Sequence, residues 1–325
     1  MIAAWPVLGR WQARLNNHPR VQFLLRLARS QGFQRVLRAA IVATFVAFIG
    51  LAIVRNWAEL QQYEWHADLR YLLIAVVAFP LAYLPTVWCW HWILRRISGF
   101  SSLRINAHIY FLSSMGRYMP GAIWYIAGRA YWYKEQKVPT SHVIIATLWE
   151  NVIFISSGLI IYALLGWQQG TIAVLAIILT AFLFPMILNR LVGFAQRRVG
   201  QDQLPPVRPV DVLVLYAALG FAWIAGGCLL WWVANAIHPL ELDVLPYLIA
   251  DWGLVGAVSV IAGFLVGGLG IREIALSALL GQVMPLPVAL VVALVFRLTL
   301  MVSEALWALT LSVPTRPKVR ITRKD

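Results

Sequence analysis

A motif of glycine, arginine and proline precedes one of the apolar stretches of this sequence. The motif is Gly116-Arg117-Tyr118-Met119-Pro120-Gly121, and the apolar run after it contains Trp124 and Arg129. Because proline is pre-organised for a helix start and glycine lets the backbone turn, we expect a helix to begin here. Its free N–H groups and the arginine side chains favour an anion such as a lipid phosphate. A kinked interfacial helix whose arginines reach to water explains the same residues.

A second motif, rich in glycine, opens another apolar stretch. Gly267-Gly268-Leu269-Gly270 is followed by Ile271-Arg272-Glu273 and then by apolar residues. Glycine permits a ligand to approach the backbone closely, and an acid in the first helical turn complements the helix dipole. The motif is also explained by a glycine-packed bend that a local ion pair closes.

Isolated ionisable residues lie within the apolar stretches, at Glu150, Asp251, Arg297 and Glu304. Charges at such depth in a membrane are costly, so they are candidates for function. Arg297 and Glu304 are seven positions apart and share one helix face. Glu150 and Asp251 have no near partner in sequence, so each pairs with an arginine of an interrupted segment or holds a coupling proton. Buried charge pairs that only fix helix packing are the alternative.

Motifs of several other chemistries are absent from the sequence. It contains no phosphate-binding loop ending in Gly-Lys-Ser/Thr, no nucleophilic serine in a Gly-x-Ser-x-Gly motif and no His-Glu-x-x-His zinc motif. Its six histidines are scattered and its two cysteines lie in apolar stretches. We therefore expect no metal and no other cofactor.

The composition indicates what kind of protein positions these residues. Of 325 residues, 61% are hydrophobic and 12% are charged, with a mean hydropathy of +0.75. A soluble domain has about 25% charged residues, so an ordinary cytosolic enzyme and a disordered chain are excluded. The apolar residues come in long runs, which excludes an outer-membrane β-barrel. The sequence predicts an all-α polytopic membrane protein.

Hydropathy predicts six full crossings, each close to the 20 or so residues that span a bilayer. They lie near residues 37–54, 70–94, 142–165, 170–188, 210–236 and 286–311. Two further stretches, 101–133 and 246–284, are interrupted by Pro120-Gly121 and by glycines. Such interrupted or re-entrant segments line cavities, and a pair of them is typical of a transporter's binding site. An inverted repeat is a further hypothesis.

The net charge of +14 predicts the topology. Basic residues on the cytoplasmic side of each crossing place both termini in the cytoplasm. We expect a basic amphipathic segment at 1–36, a single transmembrane domain at 37–311 and a basic tail at 312–325. The amphipathic segment suits an anionic membrane surface.

The two motifs, in this order, resemble the two signatures of the lysylphosphatidylglycerol synthase transmembrane-region family, also called flippase-like integral membrane proteins. The resemblance spans roughly residues 100–311. One departure is Val266, which stands where the family usually has proline before the glycine pair. The best-known members join a flippase domain, which moves aminoacylated phosphatidylglycerol from the inner to the outer leaflet, to a soluble aminoacyltransferase domain. The resemblance implies a stand-alone member without that second domain.

The resulting hypothesis is a bacterial inner-membrane protein that flips a phosphate-bearing lipid, either an aminoacylated phospholipid or a polyprenyl-linked lipid, and that is not itself an enzyme. The alternatives are an integral-membrane transferase acting on a lipid-linked substrate, and a non-catalytic anchor for a soluble enzyme. Membrane lipids are the expected partners, and no nucleic acid is expected. The sequence is also compatible with a homo-oligomer and with a lipid-modifying enzyme as a partner. The candidate lipid- or phosphate-binding residues are Arg117, Tyr118, Pro120, Gly121, Trp124, Arg129, Gly268, Gly270 and Arg272. The candidates for charge balance or proton coupling are Glu150, Asp251, Glu273, Arg297 and Glu304.

Overall fold

The described part of the chain is helical and contains no strand. The computed structural model describes residues 68–114, 123–166, 206–266 and 270–310, with a few isolated positions at 54–65, 116 and 183–190. The helices are α1 Leu69–Ser98, α2 Leu103–Ser114, α3 Ile123–Glu135, α4 Thr140–Leu165, α5 Pro209–Asn235, α6 Leu245–Val266, α7 Ile271–Leu280 and α8 Leu286–Thr310. A short 3₁₀ turn, Leu242–Val244, precedes α6.

Five segments in the described ranges are long and apolar enough to cross a membrane. They are helices α1, α4, α5 and α8 and the segment Leu242–Gly263, which makes this a multi-pass membrane protein. The predicted crossings near 70–94, 142–165, 210–236 and 286–311 are confirmed as such helices. The predicted crossings near 37–54 and 170–188 lie almost entirely outside the described residues, as do the basic segments 1–36 and 312–325.

The two predicted interruptions fall between helices. Helices α2 and α3 flank the first break, although residues 117–122 are not among those described. Helices α6 and α7 flank the second, and Gly270 at the start of α7 has a φ of 83°, a conformation that favours glycine. Helix α6 is by itself long enough to cross, whereas hydropathy had merged it with α7 into one interrupted stretch.

Helix ends follow the local sequence. The Asp68 carboxylate accepts a hydrogen bond from the Arg70 backbone N–H at 3.0 Å, which satisfies a free donor at the start of α1. Gly99 ends the same helix with a φ of 72°. Helix α5 begins at Pro209, and the Asp211 carboxylate accepts from the Arg208 backbone N–H at 2.8 Å. These local signals mark both ends of α1 and the start of α5.

Small residues let the central helices approach closely. A Cβ atom added to Gly158 on α4 would lie 2.5 Å from the Gly253 carbonyl oxygen on α6, so the two backbones touch there. The Trp223 ring from α5 occupies the space that a Cβ on Gly256 would need, and the Trp252 ring from α6 does the same at Gly226. Two tryptophans thus interlock between α5 and α6 beside the cavity described next.

Candidate functional site: a charged cavity inside the helix bundle

A cavity of about 220 Å³ lies inside the bundle, and each of the eight described helices contributes to its lining. Its described lining is aromatic and apolar apart from a few polar groups. Four charged side chains face it, and all four had been predicted as site residues from the sequence: Glu150, Arg272, Arg297 and Glu304. An apolar pocket with a few converging polar groups is the usual form of a ligand site.

The carboxylate on one side of the cavity, Glu150 of α4, is held by an arginine behind it. The guanidinium of Arg129, from α3, donates through Nη1 to Glu150 Oε2 and through Nη2 to Oε1, the latter at 3.4 Å. Arg129 is fully buried and does not belong to the cavity lining. The arginine that pairs with Glu150 thus belongs to α3, within the stretch 101–133 that the sequence predicts to be interrupted.

Aromatic rings surround the buried arginine. The guanidinium carbon of Arg129 lies 4.0 Å from the ring centre of Trp90 and 4.5 Å from that of Tyr110. Its Nε donates to Ser113 Oγ at 3.2 Å. Cation–π contacts and hydrogen bonds together offset the cost of taking the guanidinium out of water. Arg129 is therefore placed to hold Glu150 at the cavity wall.

In a second ion pair the arginine, and not the carboxylate, faces the cavity. Arg297 of α8 lines the cavity, and its Nη1 donates to Oε1 of Glu273 in the first turn of α7. Glu273 is 2% exposed and is not a lining residue, so here the arginine faces the cavity and the carboxylate lies behind it. Among the described residues, no group forms a hydrogen bond with Glu273 Oε2.

The third arginine of the site stacks on a tryptophan. The guanidinium carbon of Arg272 lies 4.5 Å from the ring centre of Trp252, and both residues line the cavity. Trp252 in turn meets Phe296 edge-to-face, with ring centres 4.9 Å apart. Sequence reasoning missed Trp252. The nearest signal was a tryptophan among glycines at helical spacing on α6, but this pattern alone does not distinguish a packed ring from one that faces a ligand.

Glu304 and Asp251 differ in their placement. Glu304 lines the cavity from α8 and is 6% exposed, on the same helix face as Arg297 two turns earlier. Asp251 lies half-buried on α6, does not line the cavity, and forms no hydrogen bond or ion pair with any described residue. The structure brings Glu304 into the cavity with the arginines and leaves Asp251 outside it.

The remaining predicted residues fall into two groups. Trp124 is 44% exposed and does not line the cavity, while Gly270 begins α7. The neighbouring Tyr125 follows the same motif but was not among the predicted site residues; it lines the cavity, and its hydroxyl accepts a hydrogen bond from Asn151 at 2.6 Å. Five predicted residues lie outside the described part of the chain: Arg117, Tyr118, Pro120, Gly121 and Gly268.

Comparison with known proteins adds no assignment. The chain matches no protein-family model, no curated protein and no solved structure. The resemblance of the two motifs to a flippase-like family therefore stays a prediction, and function has to be argued from the site itself.

The charges of the site balance within the described residues. Three arginines stand against three glutamates, giving a formal sum of zero: Arg129, Arg272 and Arg297 against Glu150, Glu273 and Glu304. Of the four that line the cavity, Arg272, Arg297 and Glu304 lie on α7 and α8 and Glu150 lies on α4, so the α7–α8 lining has a formal charge of +1. Electrostatic interactions are stronger in a partly buried site than in water. The α7–α8 side is thus suited to an anion.

Proposed function

We propose that this protein binds the phosphate of a membrane lipid headgroup in the cavity and translocates the lipid from the inner to the outer leaflet of the bacterial inner membrane. The observation that supports the proposal is the position of Arg272 and Arg297. Both arginines line a cavity between membrane-spanning helices, and Arg272 lies in the first turn of α7. Charged groups at such a place mark substrate pathways, and arginine binds phosphate through paired hydrogen bonds.

The size of the cavity favours a headgroup over a whole lipid. Its volume of about 220 Å³ is below the roughly 300–1,000 Å³ of pockets that enclose drug-sized ligands. In the proposed mechanism the headgroup enters the cavity while the acyl or polyprenyl chains stay in the bilayer. Aminoacylated phospholipids and polyprenyl-linked lipids both offer a phosphate to the two arginines, so either class of cargo fits the proposal.

The proposal is tested with purified full-length protein in phosphatidylcholine liposomes that contain a trace of fluorescent lipid. Reduction of the fluorophore by external dithionite reports how fast lipid exchanges between leaflets. We expect faster exchange of fluorescent phosphatidylglycerol or phosphatidylethanolamine than in protein-free liposomes, and no acceleration of a fluorescent diacylglycerol, which has no phosphate. Equal acceleration of all three, or of none, contradicts the proposal. A new lipid product from a labelled donor would instead support the transferase.

A further inference from the structure

The ion pair at the α7–α8 side of the cavity is built so that a guest anion competes with one of its members. Arg297 faces the cavity, and Glu273 lies behind it, away from the cavity. Only one oxygen of Glu273, Oε1, accepts a hydrogen bond from Arg297, and the buried Oε2 has no hydrogen-bond partner among the described residues. A phosphate that binds Arg297 from the cavity therefore competes with Glu273 for the hydrogen bonds and the positive charge of the guanidinium.

Among the described residues, no further positive charge compensates for an anion added to the cavity. Helix α7 packs against α6 and α8, and the other charged groups on these three helices are Arg272, Asp251 and Glu304. The three arginines and three glutamates of the described site sum to a formal charge of zero, so an anionic headgroup would bring this sum to −1. An uncompensated buried carboxylate is costly and neutralises by taking a proton.

Glu273 is better suited to that proton than Glu150. Both oxygens of Glu150 accept hydrogen bonds from Arg129, which lies outside the cavity lining and so away from a guest. Glu273 is paired with Arg297, which also lines the cavity, and a proton can add to its Oε2. The two carboxylates differ in this respect although each belongs to a buried ion pair.

We infer that binding of an anionic lipid headgroup at Arg297 is coupled to uptake of one proton on Glu273. This rests on the proposed function, since it takes the headgroup to be the guest. The proton comes from water, adds to Glu273 Oε2 as the phosphate takes over hydrogen bonds of Arg297, and leaves when the headgroup leaves. No bond of the lipid is made or broken. The site thereby links lipid binding to proton concentration.

The experiment measures protons taken up when a soluble phosphodiester binds. The full-length protein in phosphatidylcholine nanodiscs is titrated with glycerophosphoglycerol, which keeps one negative charge near neutral pH. Calorimetry in buffers of different ionisation enthalpy gives the number of protons bound per anion. We expect close to one proton for the wild type, and an apparent affinity that rises up to roughly tenfold for each unit by which the pH falls. Glu273→Gln should bind with no proton uptake and no pH dependence.

Each outcome decides a separate point. Glu241→Gln, which removes an exposed carboxylate outside the cavity, is the matched control and should behave as the wild type does. Binding by the wild type without proton uptake overturns the inference and leaves the proposed function standing. The number of protons taken up by the wild type is therefore a sufficient test even if Glu273→Gln does not fold. Unchanged uptake in a folded Glu273→Gln also overturns it. No binding by the wild type at any pH contradicts the proposed function, and the inference with it.

Discussion

Arg129 and Glu150 join α3 to α4 through an ion pair in which only the glutamate faces the cavity. The arginine is fully buried between aromatic rings, and Glu150 is 8% exposed. This arrangement fixes a negative charge at the cavity wall, and it makes the arginine a part of the packing as much as of the site.

The first prediction concerns the stability of this pair. Arg129→Ala should lower the thermal unfolding midpoint of the detergent-solubilised protein strongly, because it leaves Glu150 buried without its counter-charge, a change that costs about 3–5 kcal/mol in such pairs. Arg129→Met combined with Glu150→Gln should regain part of that loss, since the double variant leaves no buried charge. A single variant as stable as the wild type would show that the pair contributes little to the fold.

The second prediction concerns Trp252 as a residue that positions Arg272. Trp252→Leu removes the ring under the guanidinium, and a desolvated cation–π contact is worth about 2 kcal/mol, so the affinity for glycerophosphoglycerol should fall by roughly 30-fold. Trp252→Phe keeps an aromatic face and should lose less. The measurement is calorimetric titration in nanodiscs. Equal loss in both variants would indicate a packing role only.

The third prediction concerns the crossing of α4 and α6. Gly158→Ala places a Cβ 2.5 Å from the Gly253 carbonyl oxygen, so the helices must separate and the unfolding midpoint should fall. Gly220→Ala on α5 is the control, because a Cβ there meets nothing within 4 Å. Alanine in a helix interior is favoured over glycine by about 0.5–1 kcal/mol, so the control should be neutral or slightly stabilised. The same change in both variants would contradict the close crossing.

The fourth prediction concerns the pH dependence of stability and involves two residues outside the spanning segments. The Tyr63 hydroxyl is 2.7 Å from His238 Nδ1, and burial lowers the pKa of His238 below its ordinary value of 6.5. The unfolded chain then binds the proton more readily than the folded one. Stability due to this group is present above pH 6.5 and is lost as the pH falls through the folded pKa. His238→Gln should make the thermal unfolding midpoint less dependent on pH below pH 6.5. An unchanged pH dependence would show that another group causes it.

The sequence predicts a large part of the fold because long apolar runs have few alternatives in a membrane. Four predicted crossings coincide with helices, and α7 begins at Ile271, directly after the glycine motif. The cost of intramembrane charge also selected three of the four charged side chains that line the cavity, Glu150, Arg297 and Glu304, whereas Arg272 was predicted from the glycine motif.

The partners of those charges were not predictable from the sequence. Arg129 lies 21 positions before Glu150, and Glu273 lies 24 positions before Arg297, so each pairing depends on how separate helices pack. The role of Trp252 has the same origin, since a ring on α6 reaches Arg272 only after α7 has folded back beside it. Periodicity within one helix contains no information on which neighbour it meets.

The most direct test of the central claim is lipid exchange between leaflets by protein in which the two cavity-facing arginines are replaced. The rate is measured with fluorescent phosphatidylglycerol or phosphatidylethanolamine, whichever the wild type moves faster, for wild type, Arg272→Gln/Arg297→Gln and Arg104→Gln, an exposed arginine on α2 as the matched control. Hydrogen bonds to charged groups are worth about 1.5–3 kcal/mol, so the double variant should lose at least roughly tenfold in rate while Arg104→Gln keeps it. A folded double variant that exchanges lipid as fast as the wild type would contradict phosphate binding in this cavity.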